Sequence, residues 1–328
     1  MSRIFLVSAL VLTLLCGSAA AQRKYVISPK NAEYILNESD IRYAVSFLTD
    51  SLAEGRGTGT IGSQKVKGWL ASNFASCGLQ KAGESWYHAF STPSGKVGHN
   101  VIGCRPGTSG RWVVVMAHFD HLGYLGGAMY PGADANASGV AAMLSLAKML
   151  RRMEEVGREF SRGVIFVGLD GKEQGMSGSK ALWKLLDYGM LKNPADGSSI
   201  RIEDVALVVN IDQVGATISP LHKGRPDYLM MLSDASDGYR NNLVSANKLS
   251  GLGLDIAFDY YGSKDFTEIF YRRINDQRIF LEHGIPAVMF TSGITFNNNK
   301  TADAADSLDY VILRRRIILM FHYLVKVL

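Results

Sequence analysis

Four short, predominantly apolar runs stand out from an otherwise mixed chain: Trp112 to Ala117, Val164 to Leu169, Val205 to Ile211 and Ala287 to Thr291. Their length and β-branched content predict strands buried on both faces. Elsewhere apolar residues recur at helical spacing, which predicts amphipathic helices over Ser39 to Leu52, Gly62 to Ser76, Asn136 to Arg152 and Asp306 to Leu328. Cys77-Gly78 supplies a stop for the second helix, and Asp134 or Asn136 a cap for the third. Strands alternating with helices predict an α/β fold with a mixed, largely parallel central sheet and helices on both faces. No repeat, low-complexity tract or linker interrupts the pattern, so residues 22–328 read as a single domain.

The first 21 residues depart from it. Arg3, the apolar run Ile4 to Leu15 and Ala19-Ala20-Ala21 before Gln22 have the layout of a cleavable signal peptide, which predicts export to a periplasmic or extracellular location. The apolar run is shorter than the roughly 20 residues of a spanning helix, so a retained anchor ranks second. Lipidation at Cys16 also ranks second, because Leu15 stands where a small residue is wanted. No later run is apolar enough to cross a membrane.

Composition narrows the picture further. Apolar residues make up 47% of the chain, enough for one large core. The formal charge of +5 is dispersed rather than gathered into blocks, which removes support for nucleic-acid binding. After the signal peptide two cysteines remain, Cys77 and Cys104; a disulfide and a pair of buried thiols are both open, and neither residue has zinc-site spacing. The stretch Gly55-Arg56-Gly57-Thr58-Gly59-Thr60 follows no apolar strand and lacks a terminal Gly-Lys-Ser/Thr, so it reads as a structural turn and not a phosphate loop.

Candidate chemistry sits at the ends of the predicted strands, where open α/β sheets place their ligand crevice. The first strand runs into His118-Phe119-Asp120-His121, the second into Asp170-Gly171-Lys172-Glu173 and the third into Asp212. A His followed two residues later by a carboxylate suits a metal site, since the carboxylate can accept the second ring N–H and fix the tautomer. Alone that pair is a weak signal; convergence with acidic residues from two further strands strengthens it.

Taken in order, Met116-Ala117-His118-Phe119-Asp120, Pro131 to Gly139, Glu173-Gln174-Gly175 through Gly178-Ser179, Asn210-Ile211-Asp212 and Gly284-Ile285-Pro286-Ala287 resemble the successive signatures of metallopeptidase family 28, the secreted leucyl-type zinc aminopeptidases related to animal glutaminyl cyclases. Glu54 to Gly59 resembles the family's N-terminal turn. The resemblance implies a zinc-exopeptidase-like fold. It also implies two zinc ions bridged by an Asp and a water, with a Glu as general base on that water.

Carried over residue by residue, the resemblance makes His118 a ligand, Asp120 its neighbouring carboxylate, Glu173 the metal-binding Glu and Asp212 the terminal Asp. It also places Ala135 where the bridging Asp belongs, Lys172 where the base belongs, and Asn299 where the last His belongs. Gln277 stands where a His is common. Two readings follow. In one, the chain is an exported, non-catalytic relative whose crevice is vestigial or binds a peptide-like ligand. Zinc is then absent or at most one ion weakly held, and Lys172 supplies positive charge among the remaining carboxylates. In the other, it is a working aminopeptidase with one metal and substitute ligands drawn from His121, Asp134 or Asp170. Residue preference would then be set by the loops Ala216 to Pro226 and Tyr260 to Gln277.

Overall fold

The computed structural model describes residues 28–217, 220–233 and 237–328, so the expected signal peptide lies outside the described residues. In chain order the strands are β1 (Gln80–Lys81), β2 (Tyr87–Ser91), β3 (Val97–Arg105), β4 (Trp112–His118), β5 (Gly123–Leu125), β6 (Ala128–Tyr130) and β7 (Gly163–Leu169). They continue with β8 (Leu191–Lys192), β9 (Ser199–Ile200), β10 (Val205–Ile211), β11 (Tyr228–Leu232), β12 (Asp255–Ala257) and β13 (Ala287–Thr291).

The four apolar runs form the parallel centre of a nine-stranded sheet, ordered β7-β4-β10-β13. Antiparallel β3, which carries β1 and β2, extends it on one side, and antiparallel β11 followed by β12 on the other. The sheet is mixed and largely parallel at its centre, as the sequence predicts. The hairpin β2–β3 was not marked by a continuous apolar run, since β2 alternates exposed and half-buried positions, the pattern of an edge strand; β11, by contrast, is a continuous buried apolar run, Tyr228 to Leu232, that was not among the expected strands.

Side-chain alternation divides the core into two layers. Val113, Val115 and Ala117 of β4 join one apolar cluster with Phe166, Val209 and Phe290; Trp112, Val114 and Met116 face the opposite cluster with Ile165, Val167 and Val208. The first layer is closed by helices Glu38–Thr49, Ile61–Ser76, Gly139–Glu155 and Tyr310–Val327, the second by helix Ser177–Asp187 and the short helix Arg278–Glu282. Each fully buried Phe, Leu or Val here is worth roughly 1.5–3 kcal/mol of hydrophobic stabilisation. No described helix is long and apolar enough to cross a membrane.

Helix boundaries shift where local polar groups intervene. The first expected helix ends at Thr49, because Asp50 turns extended and its side chain accepts the Leu52 N–H (2.8 Å), starting a separate turn over Ser51–Arg56. The third begins at Gly139 instead of Asn136: residues Ala133–Ser138 form a wide, irregular turn, and Asn136 Oδ1 caps by accepting the Gly139 N–H at 3.1 Å. The last begins at Tyr310, capped by Asp309 through the Ile312 N–H at 3.0 Å. Cys77 and Cys104 are buried free thiols, each raised by burial, Cys104 to about 12.

The glycine-rich turn is structural, as expected. Gly55 sits at φ +59, and a Cβ there would lie 2.6 Å from the Tyr130 carbonyl oxygen and 2.7 Å from that of Gly123. A Gly55→Ala variant is expected to lose about 2 kcal/mol or more of stability. Urea denaturation checks this, and an unchanged midpoint would mean that the turn relaxes freely.

Candidate functional site

Because β7, β4 and β10 are adjacent and parallel, their carboxyl ends open onto one edge: His118 pairs with Leu169 in the ladder, and Met116 with Asn210. A crevice of about 330 Å³ lies there, lined among others by His118, Ala135, Lys172, Glu173, Gln213 and Asn299. Three of the expected positions, His118, Lys172 and Asp212, meet in direct contact.

Gly171, at φ +74, lets the chain double back after β7. The following N–H groups, those of Lys172 and Glu173, donate to Asp120 Oδ1 and Oδ2 at 3.1 Å each. That grip turns Lys172 inward. Its Nζ lies 2.5 Å from Asp212 Oδ2 and 3.1 Å from His118 Nε2, while His118 Nε2 is 3.3 Å from Asp212 Oδ1. The Lys172 side chain is only 14% exposed and that of Asp212 is fully enclosed. Burial alone would push Asp212 up, yet the Lys172 ammonium and His118 hold it far below the usual carboxylate range. Burial likewise opposes the charge on Lys172, but Asp212, Asp276 and Glu173 hold its ammonium above the ordinary lysine range. The pair is therefore a charge-assisted hydrogen bond in a dry setting.

Asp120 differs from expectation in how it acts. His118 Nδ1 donates to the Asp120 backbone carbonyl at 3.0 Å, and the nearer carboxylate oxygen is 3.7 Å away. The carboxylate is taken up by the turn that carries Lys172, so it orients the lysine and the main chain orients the imidazole. Glu173 faces the crevice, and its carboxylate has no ion-pair partner among the described residues. The methyl group of Ala135 is held at the crevice by its own N–H and that of Asp134, which donate to Asp303 Oδ2 and Oδ1 at 3.1 and 2.8 Å. Asn299 lines the crevice in a left-handed conformation, φ +57, which asparagine tolerates better than most residues.

The residues considered as substitute ligands do not gather around His118. Asp134 Oδ1 accepts the Gly215 and Ala216 N–H groups at 2.8 and 3.1 Å. Asp170 accepts from Thr58 Oγ1 at 2.8 Å and from the His99 N–H at 3.0 Å. Burial raises both carboxyls to about 7, helped by Asp303 and Asp120 respectively. His121 is buried beside Gly132, and burial with the nearby Arg56 charge lowers it to about 2, a neutral imidazole outside the crevice lining. Gln277 is also buried away from the crevice, where it accepts from Asn210 Nδ2 at 2.7 Å and donates to the Tyr271 carbonyl.

Two residues essential to this geometry lie in stretches that resemble the family's, Glu54 to Gly59 and Asp276 to Phe280, but neither had a role assigned from the sequence. Arg56, fully buried, donates to the carbonyls of Leu48, Phe119, Pro131 and Gly132 at 2.5–2.8 Å, tying together the loops after β4 and β6. An arginine between two glycines reads as surface. Asp276, 1% exposed, adds a second carboxylate whose field favours the Lys172 ammonium; only its place beside Gln277 hinted at the site.

Comparison with known proteins agrees with this architecture. Leucine aminopeptidase 1 of Pyrenophora teres f. teres (strain 0-1) is 23% identical over 246 residues, 74% of this chain and 57% of that protein. The chain spans just over half the length of the curated relatives it matches. Among solved structures, a glutaminyl cyclase from Macrostomum lignano superposes with a TM-score of 0.70 at 16% identity, covering 91% of this chain and 92% of that one. The zinc aminopeptidase BSAP from Bacillus subtilis does so with a TM-score of 0.66 at 13% identity, covering 89% and 95%. At such identities the likeness is one of fold. The family itself is shown by the match of residues 100–324, which contain β4, β7, β10, β13 and every residue of the crevice, and on that match the chain belongs to peptidase family M28.

Proposed function

We propose that this chain is an exported, non-hydrolytic homologue of the zinc aminopeptidases, in which Lys172 supplies the positive charge a metal ion would supply and the crevice binds a peptide-like ligand without cleaving it. The observation that carries this reading is the position of Lys172 Nζ, within hydrogen-bond reach of both His118 Nε2 and Asp212 Oδ2. A zinc ion coordinated by the same two atoms at about 2.0–2.2 Å would have to share that space with an ammonium, a strongly repulsive arrangement at low dielectric. Among the described residues no three His, Cys, Asp or Glu side chains are grouped to hold a metal. The residues present therefore do not fit the family's metal pair.

Proton transfer fails on the same grounds. A methyl group at Ala135 cannot bridge two ions, and a charged lysine cannot accept a proton from water. Loss of a general base alone commonly costs roughly 100- to 10,000-fold in rate. The one-metal aminopeptidase reading would need His121, Asp134 or Asp170: His121 lies outside the crevice lining, Asp134 Oδ1 serves the Gly215 and Ala216 N–H groups, and Asp170 serves the His99 N–H and Thr58. Export rests on the Arg3, Ile4 to Leu15 and Ala19-Ala20-Ala21 layout.

The test is restoration. The triple variant Ala135→Asp, Lys172→Glu, Asn299→His crowds carboxylates together without metal, so it is expected to be less stable than wild type in zinc-free buffer and to regain stability on adding zinc. Wild type should show no zinc-dependent shift in melting temperature. Chelator-sensitive release of an amino acid from an aminoacyl chromogenic substrate by the wild type would sink the proposal.

A further inference from the structure

The crevice lining holds unused charges of both signs. Lys172 is spent on Asp212 and His118, and the Asp120 carboxylate on two backbone N–H groups. Acceptors remain at Glu173, Gln213 and Asn298, the last with a buried Oδ1 that no donor among the described residues reaches. Glu173 has no ion-pair partner among the described residues, and Gln213, 5% exposed, has a buried Oε1 with no hydrogen-bond donor. The backbone of Gln213 is pinned at φ +55, its N–H donating to Asn136 Oδ1 at 3.1 Å and its carbonyl accepting from the Ser292 N–H at 2.7 Å. A buried acceptor without a donor is costly, and a ligand N–H would relieve it.

On the other side, Arg273 also lines the crevice. Its neighbours Arg272 and Arg278 are paired with Glu268 and Glu282 one helical turn away, whereas Arg273 has no acidic partner among the described residues. A guanidinium fork left open at a crevice matches a carboxylate bidentately. Phe270, Ile274 and Ile294 supply an apolar wall between the polar groups. A volume of about 330 Å³ is at the small end for ligand sites, which run from roughly 300 to 1,000 Å³.

Resting on the non-hydrolytic reading above, we infer that the crevice takes a short zwitterion, a free amino acid or dipeptide with an apolar side chain. Its ammonium meets Gln213 and Glu173, and its carboxylate meets Arg273. An extended peptide would carry its carboxylate past Arg273 and lose that contact.

Calorimetric titration with L-leucyl-L-leucine, its C-terminal amide and its N-acetyl derivative tests this. The unmodified dipeptide is expected to bind, and each modification to weaken binding about tenfold or more, the size of a lost charged hydrogen bond. Arg273→Ala, a change at an exposed position, should abolish the preference for the free acid over the amide while keeping the preference over the acetylated form. Glu173→Gln should reduce the latter. No binding by the dipeptide, equal binding of acid and amide, or discrimination that survives Arg273→Ala overturns the inference. Analysis of the titrated mixture separates the two claims: released leucine would overturn the non-hydrolytic reading, whereas the ligand assignment stands or falls on the dependence on Arg273.

Discussion

Replacing Lys172 by methionine is expected to lower the unfolding free energy by about 3–5 kcal/mol, the usual cost of removing one partner from a buried ion pair. Methionine keeps most of the aliphatic stem, so the loss reports on the charge and not on packing. What is left behind is an enclosed Asp212 carboxylate facing His118, with Asp276 and Glu173 nearby. The double variant Lys172→Met, Asp212→Asn should be more stable than Lys172→Met alone, because the orphaned charge is then removed as well. Denaturant unfolding of the two variants and wild type checks this. A near-neutral effect of Lys172→Met would mean that the lysine is a tolerated residue in a drifting site and has no structural role in place of a metal.

Arg56→Met is expected to be comparably damaging. Four main-chain carbonyls, from Leu48, Phe119, Pro131 and Gly132, each lose a donor at once in a region closed to water, although that of Gly132 keeps the Ala137 N–H at 3.2 Å. A loss of about 3–5 kcal/mol follows from unsatisfied buried acceptors. For a domain of this size that corresponds to a fall in melting temperature on the order of 10 °C. Lysine should rescue little of it, since one ammonium cannot reproduce the spread of a guanidinium fork. Burial lowers the Arg56 guanidinium to about 10, with Asp303 and Asp120 opposing, so the charge is retained at neutral pH. Differential scanning calorimetry checks this, and full rescue by Arg56→Lys would contradict it.

How far the sequence revealed this arrangement follows from the kind of interaction involved. Predominantly apolar runs identified β4, β7, β10 and β13, because burial on both faces leaves a one-dimensional trace. Strand β2 left none, since half of its side chains face outward. The convergence of His118, Lys172 and Asp212 was legible from strand ends, a consequence of parallel topology. The direction of each side chain was not. Asp134 is two residues from Gly132 and one from Ala135, yet its carboxylate caps Gly215 and Ala216, because the irregular turn over Ala133–Ser138 rotates it away. Asp120 was expected to hold the imidazole with its carboxylate and does so with its carbonyl, because the turn after Gly171 supplies two N–H groups that claim the carboxylate first. Arg56 shows the opposite limit: its partners are all main-chain carbonyls, and those have no identity in a sequence.

The three positions on which the proposed reading rests are close together: Ala135, Lys172 and Asn299 all line one crevice, and Asp120, Asn136 and Asp303 shape the loops around it.

The central claim, that Lys172 occupies the place of a metal, is tested most directly by the zinc content of the protein purified without chelator, measured by elemental mass spectrometry. The account predicts zinc far below one ion per chain, unchanged after dialysis against zinc and buffer. One or two tightly held zinc ions per chain would contradict it.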